Sequence, residues 1–325
     1  MRQYVIRRII ISIIVLFGVS IMLFGLSRLI PSDYISMSTA TQQRITEEMK
    51  DHLRELYGLD KSFFGGYWSW LKGAVRLDFG VSLAYARPVT EVIGSCIGVT
   101  FSISAIALIF EIIIGIPLGI LAARKRNMRA DYIITAFVFI GISLPSFFFA
   151  ATLKRIFGFY GVNLLPINGL LNPRVIYSGF SLAKLADYAA HLALPVAVFV
   201  LTNCGAWLRY TRANMIEALE SDYVRTARAK GVPEQRVVYT HAFRNTLIPI
   251  VTLLGAQLPA LFSGAIITEQ LFAIPGIGNM AFKAYELNDM PFMMGFNMLL
   301  ALFTIVGFLI SDILYAVADP RIRLS

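Results

Sequence analysis

Six long apolar segments alternate with polar segments along this chain of 325 residues. A helix that crosses a bilayer needs about 20 mostly apolar residues. The apolar segments lie at residues 9–30, 97–122, 132–153, 191–208, 247–268 and 292–311. The pattern predicts an all-α polytopic membrane protein with six transmembrane helices. An even number of crossings places both termini on the same side of the membrane.

The longest polar stretch, residues 31–95, lies between the first two apolar segments. Residues 41–57 place apolar side chains at helical spacing and predict an amphipathic helix. Trp68 and Trp70 follow, and tryptophan is typical of the membrane interface. We therefore expect a small folded extracytoplasmic segment here. The chain then divides into residues 1–95, with the first helix and this segment, and residues 96–325, with the other five helices.

Composition and charge support a membrane protein and give it an orientation. Apolar residues make up 57% of the chain and charged residues 15%, against roughly 45–50% and about 25% in soluble domains. With the N terminus inside, the inner segments hold 16 of the 29 basic residues and 6 acidic ones. Basic residues favour the cytoplasmic side, so both termini are expected there. The net charge of +9 is then an orientation signal, and no nucleic-acid partner is expected.

Catalytic and cofactor motifs do not stand out in the sequence. No phosphate-binding GxxxxGK[ST] loop occurs, and His52, His191 and His241 are too scattered to predict a metal site. Residues 276–281 match GxGxxA, but they follow an apolar helix rather than a strand, so we interpret them as a tight turn. We expect a non-catalytic chain without a cofactor of its own. A membrane-embedded enzyme or a channel is the remote alternative.

A few polar or helix-breaking residues inside the apolar segments are candidates for function. Glu111 lies in mid-segment and either bonds to a neighbouring helix or faces a wet cavity that lines a pathway. Asp312, at the end of the last segment, is expected to be structural. Ser143 and Pro145 mark a possible broken helix at a pathway, as do Pro117 and residues 255–264.

The most informative polar segment is a loop at about residues 209–246. It is basic, and its pattern predicts two short helices interrupted at Gly231, Val232 and Pro233. A rigid helical loop between two membrane helices is suited to contact with a soluble partner. Gly231 provides the sharp turn between the helices, and we expect Gly231→Asp to block a close helix approach.

The string DYVRTARAKGVPEQRVVYTHAFRNTLIPIV in this loop resembles the cytoplasmic loop of binding-protein-dependent ABC importer permeases, in particular the peptide/nickel family. LYGLDKSFFGGYWSWLKGAVRLDFGVS, LFAIPGIGNMAFKAYELNDMPFMMG and SDILYAVADPRIRLS are similar to other segments of that family, in the same order. The large outer segment after the first helix resembles the first permease of the pair. The general loop motif has Glu-Ala-Ala where Arg225, Thr226 and Ala227 stand, so a contact through that Glu cannot be carried over.

The resemblance implies one half of the translocation pathway of a type I importer in the cytoplasmic membrane of a bacterium or archaeon. The implied partners are membrane lipid, a second homologous permease, two ATPase subunits that carry ATP and Mg, and an extracytoplasmic substrate-binding protein. Oligopeptides or dipeptides are the implied substrates, with nickel complexes, glutathione or oligosaccharides as alternatives. The implied coupling helix, which contacts the ATPase, comprises Asp222, Tyr223, Val224, Arg225, Thr226, Ala227, Arg228, Ala229, Lys230 and Gly231.

Overall fold

The computed structural model describes residues 2–29, 61–158, 164–263 and 266–318, and these residues are almost entirely helical. The predicted amphipathic helix at 41–57 and His52 lie outside the described residues. The long helices are α1 (Arg2–Leu29), α3 (Val89–Arg124), α6 (Leu182–Glu220) and α13 (Met290–Ala318). The shorter ones are α2 (Phe63–Val75), α4 (Arg129–Ser143), α5 (Ser146–Gly158), α7 (Asp222–Ala229), α8 (Glu234–Arg236), α9 (Phe243–Gln257), α10 (Ala260–Ser263), α11 (Ile266–Leu271) and α12 (Ile277–Glu286).

Four helices, α1, α3, α6 and α13, are each long and apolar enough to cross a membrane. Two further spans are possible if bent pairs are counted, which gives up to six within the described residues. The polytopic all-α prediction is therefore confirmed, and the third and fifth apolar segments, in which the sequence predicts possible breaks, are both bent. The third is bent by 97° between α4 and α5, and the fifth by 49° near residue 248.

The bends follow the predicted breaks only in part. Leu144, which precedes Pro145, adopts an extended conformation (φ −101°, ψ 137°), as expected for a residue that a proline follows. The helix also stops at Gln257 and resumes at Ala260. Pro117, in contrast, lies inside the continuous helix α3, so the break predicted there is wrong. Proline is tolerated inside membrane-spanning helices.

Helix α3 lies closely along α6 at two glycines spaced four residues apart. A Cβ atom on Gly115 would lie 2.7 Å from Cβ of Trp207, and one on Gly119 would lie 2.7 Å from Cβ of Thr211. Small residues at this spacing let the backbones of membrane helices approach each other. The pair α3–α6 is thus the central contact of the bundle. Helix α4 also packs against α6, where Gly205 of α6 lies against Val138 of α4.

The loop between α2 and α3 is hydrogen-bonded to the region of α12 and the start of α13. Asp289 is fully buried and accepts hydrogen bonds from the hydroxyl of Ser82, from Ala84 N (3.0 Å) and from Phe292 N (3.1 Å). Tyr85 donates to the carbonyl of Met280 at 2.9 Å. Burial raises the pKa of Tyr85 to about 12, so the phenol remains a donor at neutral pH. These bonds fix the loop before α3 to the turn between α12 and α13.

Candidate functional site

Residues 222–229 of the segment predicted at 222–231 form helix α7, and one face of this helix is anchored on the bundle. Val224 and Ala227 are buried, one helical turn apart. They belong to an apolar cluster that also contains Ile120 and Ala123 of α3, Met215 and Ala218 of α6, and Val237, Val238 and Ala242. The short helix therefore lies directly on the ends of the two central helices and can transmit a displacement to both.

The opposite face of α7 is not covered by any residue that the structure describes. Tyr223 is 42% exposed, and Asp222, Thr226, Ala229 and Lys230 are also exposed. Arg225 is exposed as well, with one nitrogen 3.6 Å from a carboxylate oxygen of Asp222. The surface of exposed α7 residues is therefore polar, and basic on balance.

A left-handed glycine ends α7. Gly231 has φ +74°, and its N–H donates to the carbonyl of Arg228 at 3.0 Å while Val232 N donates to Ala227 at 3.2 Å. This conformation favours glycine at a helix C terminus. Among the described residues, a Cβ on Gly231 would meet nothing within 4 Å, so none of the described helices approaches closely there. Gly231 is needed for its φ angle, and the expected steric block by Gly231→Asp does not arise within the chain.

An ion pair holds the turn after α7 in place. The guanidinium of Arg228 donates to both carboxylate oxygens of Glu234, at 2.8 and 3.1 Å. These bonds raise the pKa of Arg228 above its ordinary value. The guanidinium of Arg228 is therefore engaged with another residue of the same chain. Arg225 and Lys230 are left as the cations of the exposed face.

The helix after this turn contains a π-helical segment, Val237–Ala242, in which Val237, Val238 and Ala242 are fully buried. The loop thus contains one separate short helix, α7, and the second predicted helix is α8, which runs through the π segment into α9. The break at Gly231, Val232 and Pro233 is where the sequence predicts it. π-helical turns occur frequently at functional sites.

The intramembrane candidates are placed apart from one another. Glu111 is 5% exposed and accepts hydrogen bonds from Asn203 Nδ2 (3.2 Å) and Trp207 Nε1 (3.3 Å) of α6. Of its two alternatives, the structure therefore shows the bond to a neighbouring helix. Asp312 pairs with Arg8 of α1, with Nε 2.9 Å from Oδ2 and Nη2 3.0 Å from Oδ1.

Ser143 and Pro145 lie at the 97° bend, and both are exposed on the surface of the chain. They are not near Glu111 or Asp312 in any contact that the structure describes. A role in lining a pathway remains a prediction for both residues.

Sequence reasoning missed a buried carboxyl group beside the GxGxxA turn. Glu269 is 2% exposed, accepts a hydrogen bond from Thr100 Oγ1 (2.7 Å) and another from Asn279 N (3.0 Å). Side chains on Gly276 or Gly278 would collide with it, so the two glycines make room for this carboxyl group. Gly276 is the N-cap of α12, and residues 277–281 form the start of this helix. The tight turn predicted at residues 276–281 therefore lies just before them, at residues 272–276. The segment follows helix α11 rather than a strand, which argues against a dinucleotide fingerprint.

Two sequence models of one family match the chain along nearly its whole length. Residues 115–324 match "Binding-protein-dependent transport system inner membrane component", and residues 1–114 match the N-terminal region of such membrane components. The chain belongs to this family. The predicted resemblance is thereby confirmed.

Full-length relatives are peptide permeases by name. The chain is 35% identical to the oligopeptide transport system permease protein AppB of Bacillus subtilis over 99% of this chain and 100% of that protein. It is 33% identical to the dipeptide transport system permease protein DppB of Escherichia coli K12, over 99% of each chain. A di/tripeptide permease DppB of Pseudomonas aeruginosa is 32% identical, again over 99% of each.

Proposed function

We propose that this chain is a permease subunit of an ATP-driven importer for oligopeptides or dipeptides, and that it forms half of the translocation pathway. The observation that carries the proposal is α7, which is anchored on α3 and α6 by Val224 and Ala227 and turns a polar face away from the bundle. In that arrangement, α7 can act as a lever that a soluble ATPase moves. The names of three full-length relatives support peptides as substrates.

The proposed assembly contains a second homologous permease, two ATPase subunits and an extracytoplasmic substrate-binding protein, all within a cytoplasmic membrane. ATP and Mg are bound and used by the ATPases, and this chain is non-catalytic. Arg225 and Lys230 on the exposed face of α7 favour an ATPase groove that carries acidic side chains. Nickel complexes, glutathione or oligosaccharides are the alternative substrates.

Reconstituted transport tests the proposal. The complete complex is placed in proteoliposomes with its binding protein, and uptake of a labelled dipeptide and a labelled hexapeptide is measured with and without internal ATP. We expect ATP-dependent uptake of at least one peptide, competed by unlabelled peptide. Uptake of a nickel complex, glutathione or an oligosaccharide in place of both peptides would contradict the assigned substrate.

Two variants in the same assay test the role of the turn after α7. Gly231→Ala retains the open space around the residue but strains φ +74°, at a cost of about 1–2 kcal/mol for an ordinary residue in this region. Gly231→Asn is the matched control, since asparagine adopts left-handed conformations more readily. We expect the Ala variant to lower ATP-driven uptake more than the Asn variant. Equal activities would show that the φ angle is unimportant.

A further inference from the structure

An ion pair between a buried carboxylate and a partly exposed guanidinium connects α4 to α6 on the side of the bundle that carries α7. Asp131 is 3% exposed, and Arg212 donates to both of its oxygens, Nε to Oδ1 at 2.7 Å and Nη2 to Oδ2 at 2.8 Å. Asn127 N donates a third hydrogen bond at 3.1 Å. Two bonds from one guanidinium fix the relative orientation of the two helices as well as their distance.

The position of this pair connects it to the coupling helix. Arg212 and the end of α6 at Glu220 lie on one continuous helix, about 12 Å apart at 1.5 Å per residue. Ser221 then separates α6 from α7 as a single residue. A force applied to α7 therefore reaches Arg212 through two helical turns of α6 without an intervening loop.

Asp131, the other member of the ion pair, lies on the helix that ends at the sharpest bend among the described residues. Asp131 lies in the first turn of α4, and α4 runs without interruption to Ser143, where the 97° bend to α5 begins. Bends of this kind in a membrane helix are expected near transport pathways. The ion pair therefore lies between α7, which a partner would move, and the bend between α4 and α5, whose angle could change.

We propose that Asp131 and Arg212 form a strut that transmits the displacement of α7 to the broken span α4–α5. The inference rests on the proposed function and deepens it by naming two positioning residues. Neither residue lies on the exposed face of α7 nor is required to touch substrate. Their role is to keep α4 in a fixed orientation to α6, so that both move as one body.

The chain offers a matched control for this pair. Arg126, in the loop before α4, bonds to Glu220 at the end of α6, and both side chains are about half exposed or more, at 48% and 64%. This second ion pair joins the same two parts of the fold as Asp131 and Arg212. Exposed ion pairs hold elements together weakly, so its loss should leave coupling unchanged.

The test uses three variants of the complete reconstituted complex, Asp131→Asn, Arg212→Lys and Arg126→Gln. Arg212→Lys keeps the positive charge but loses the two-pronged geometry. Uptake and ATP hydrolysis are measured in the same proteoliposomes, and assembly is followed by co-purification of the ATPases. We expect the first two variants to lower uptake per ATP by roughly 2- to 30-fold, the range of single residues in a coupled network. Arg126→Gln is expected to retain the wild-type ratio.

A distance measurement reports on the strut independently of the substrate. Spin labels at Ile140 and Phe148, both exposed and on opposite sides of the break, are introduced in a background in which Cys96 and Cys204 are replaced by alanine. We expect ATP binding to change the distance between the labels in the otherwise unaltered complex. In Asp131→Asn and Arg212→Lys we expect that change to be reduced or absent.

The outcomes separate the two proposals. A complex that hydrolyses ATP and moves the labels but imports no peptide would refute the peptide assignment and leave the strut supported. If both strut variants keep the wild-type uptake per ATP and the wild-type change in label distance, the strut is refuted. It is also refuted if ATP binding does not change the label distance in the otherwise unaltered complex. If Asp131→Asn fails to assemble while Arg212→Lys assembles with normal coupling, the pair is structural only, and the strut is again refuted.

Discussion

At the scale of single residues, the carboxyl group of Glu111 shows how a costly side chain is accommodated in an apolar segment. Polar groups in a membrane interior are expensive unless they have partners. Asn203 and Trp207 of α6 each donate a hydrogen bond to one oxygen of Glu111. Its burial at 5% exposure places it in the contact between two helices of the same chain. Its contribution is therefore to helix packing.

Replacement of Glu111 by glutamine should reduce stability and leave transport per assembled complex unchanged. The amide retains one acceptor oxygen but turns an NH₂ group toward the donor of Asn203 or Trp207, so about one net hydrogen bond, roughly 1 kcal/mol, is lost. Thermal unfolding of the purified complex and uptake per complex are the two measurements. Glu91→Gln is the matched control on the same helix, since Glu91 is exposed beside Arg87. Reduced uptake with unchanged stability would instead place Glu111 in the pathway.

At the scale of helices, the glycines of α3 separate into a packed and an open pair. Gly115 and Gly119 face α6, where added Cβ atoms would lie 2.9 Å from the carbonyl of Cys204 and 2.8 Å from that of Leu208. Gly94 and Gly98 have the same spacing on the same helix, but added Cβ atoms would meet nothing within 4 Å. Among the described residues, only the first pair lies where two helices approach each other closely.

Gly115→Ala should therefore destabilise the purified subunit, and Gly98→Ala should not. Forcing a methyl group into a packed contact typically costs 1–3 kcal/mol, whereas alanine in an open helical position is about 0.5–1 kcal/mol better than glycine. Thermal unfolding of both variants in detergent measures the difference. Similar melting temperatures for the two variants would show that α3 and α6 are not in close contact.

The same helices show what the sequence can predict and what it cannot. Hydropathy locates the apolar middle of α3 and α6, but the observed helices extend to Val89 and Glu220 because polar residues continue a helix beyond the apolar part. The bend near Pro145 follows from local backbone sterics, whereas the same residue type at Pro117 leaves α3 continuous, so proline alone does not predict a break. Asp131, Glu269 and Asp289 could not be paired in advance, because their partners lie 81, 169 and 207 residues away.

At the scale of the whole molecule, contacts within the chain decide which segments share a side of the membrane. The loop before α4 bonds to the end of α6 through Arg126 and Glu220, so Met128 and Lys230 lie at the same end of the bundle. α6 has 39 residues, longer at 1.5 Å per residue than the roughly 30 Å hydrocarbon core. Ile176, before α6, must then lie on the opposite side from Lys230.

Accessibility to a membrane-impermeant maleimide tests the absolute orientation, which the basic residues predict. We expect Ile176→Cys, 97% exposed, to be labelled in intact cells, and Lys230→Cys only after permeabilisation. Met128→Cys, at 60% exposure, is an independent control for the inner side, and it lies outside the coupling helix. The native Cys96 and Cys204 are buried, so their background labelling should be low. Labelling of Lys230→Cys and Met128→Cys in intact cells would place α7 outside, where no cytoplasmic ATPase could reach it, and would refute the proposed coupling. Labelling of Ile176→Cys alone in intact cells would place α7 on the cytoplasmic side, where ATP is available. The reason is that α6 runs as one uninterrupted helix between the segments that carry Ile176 and Lys230.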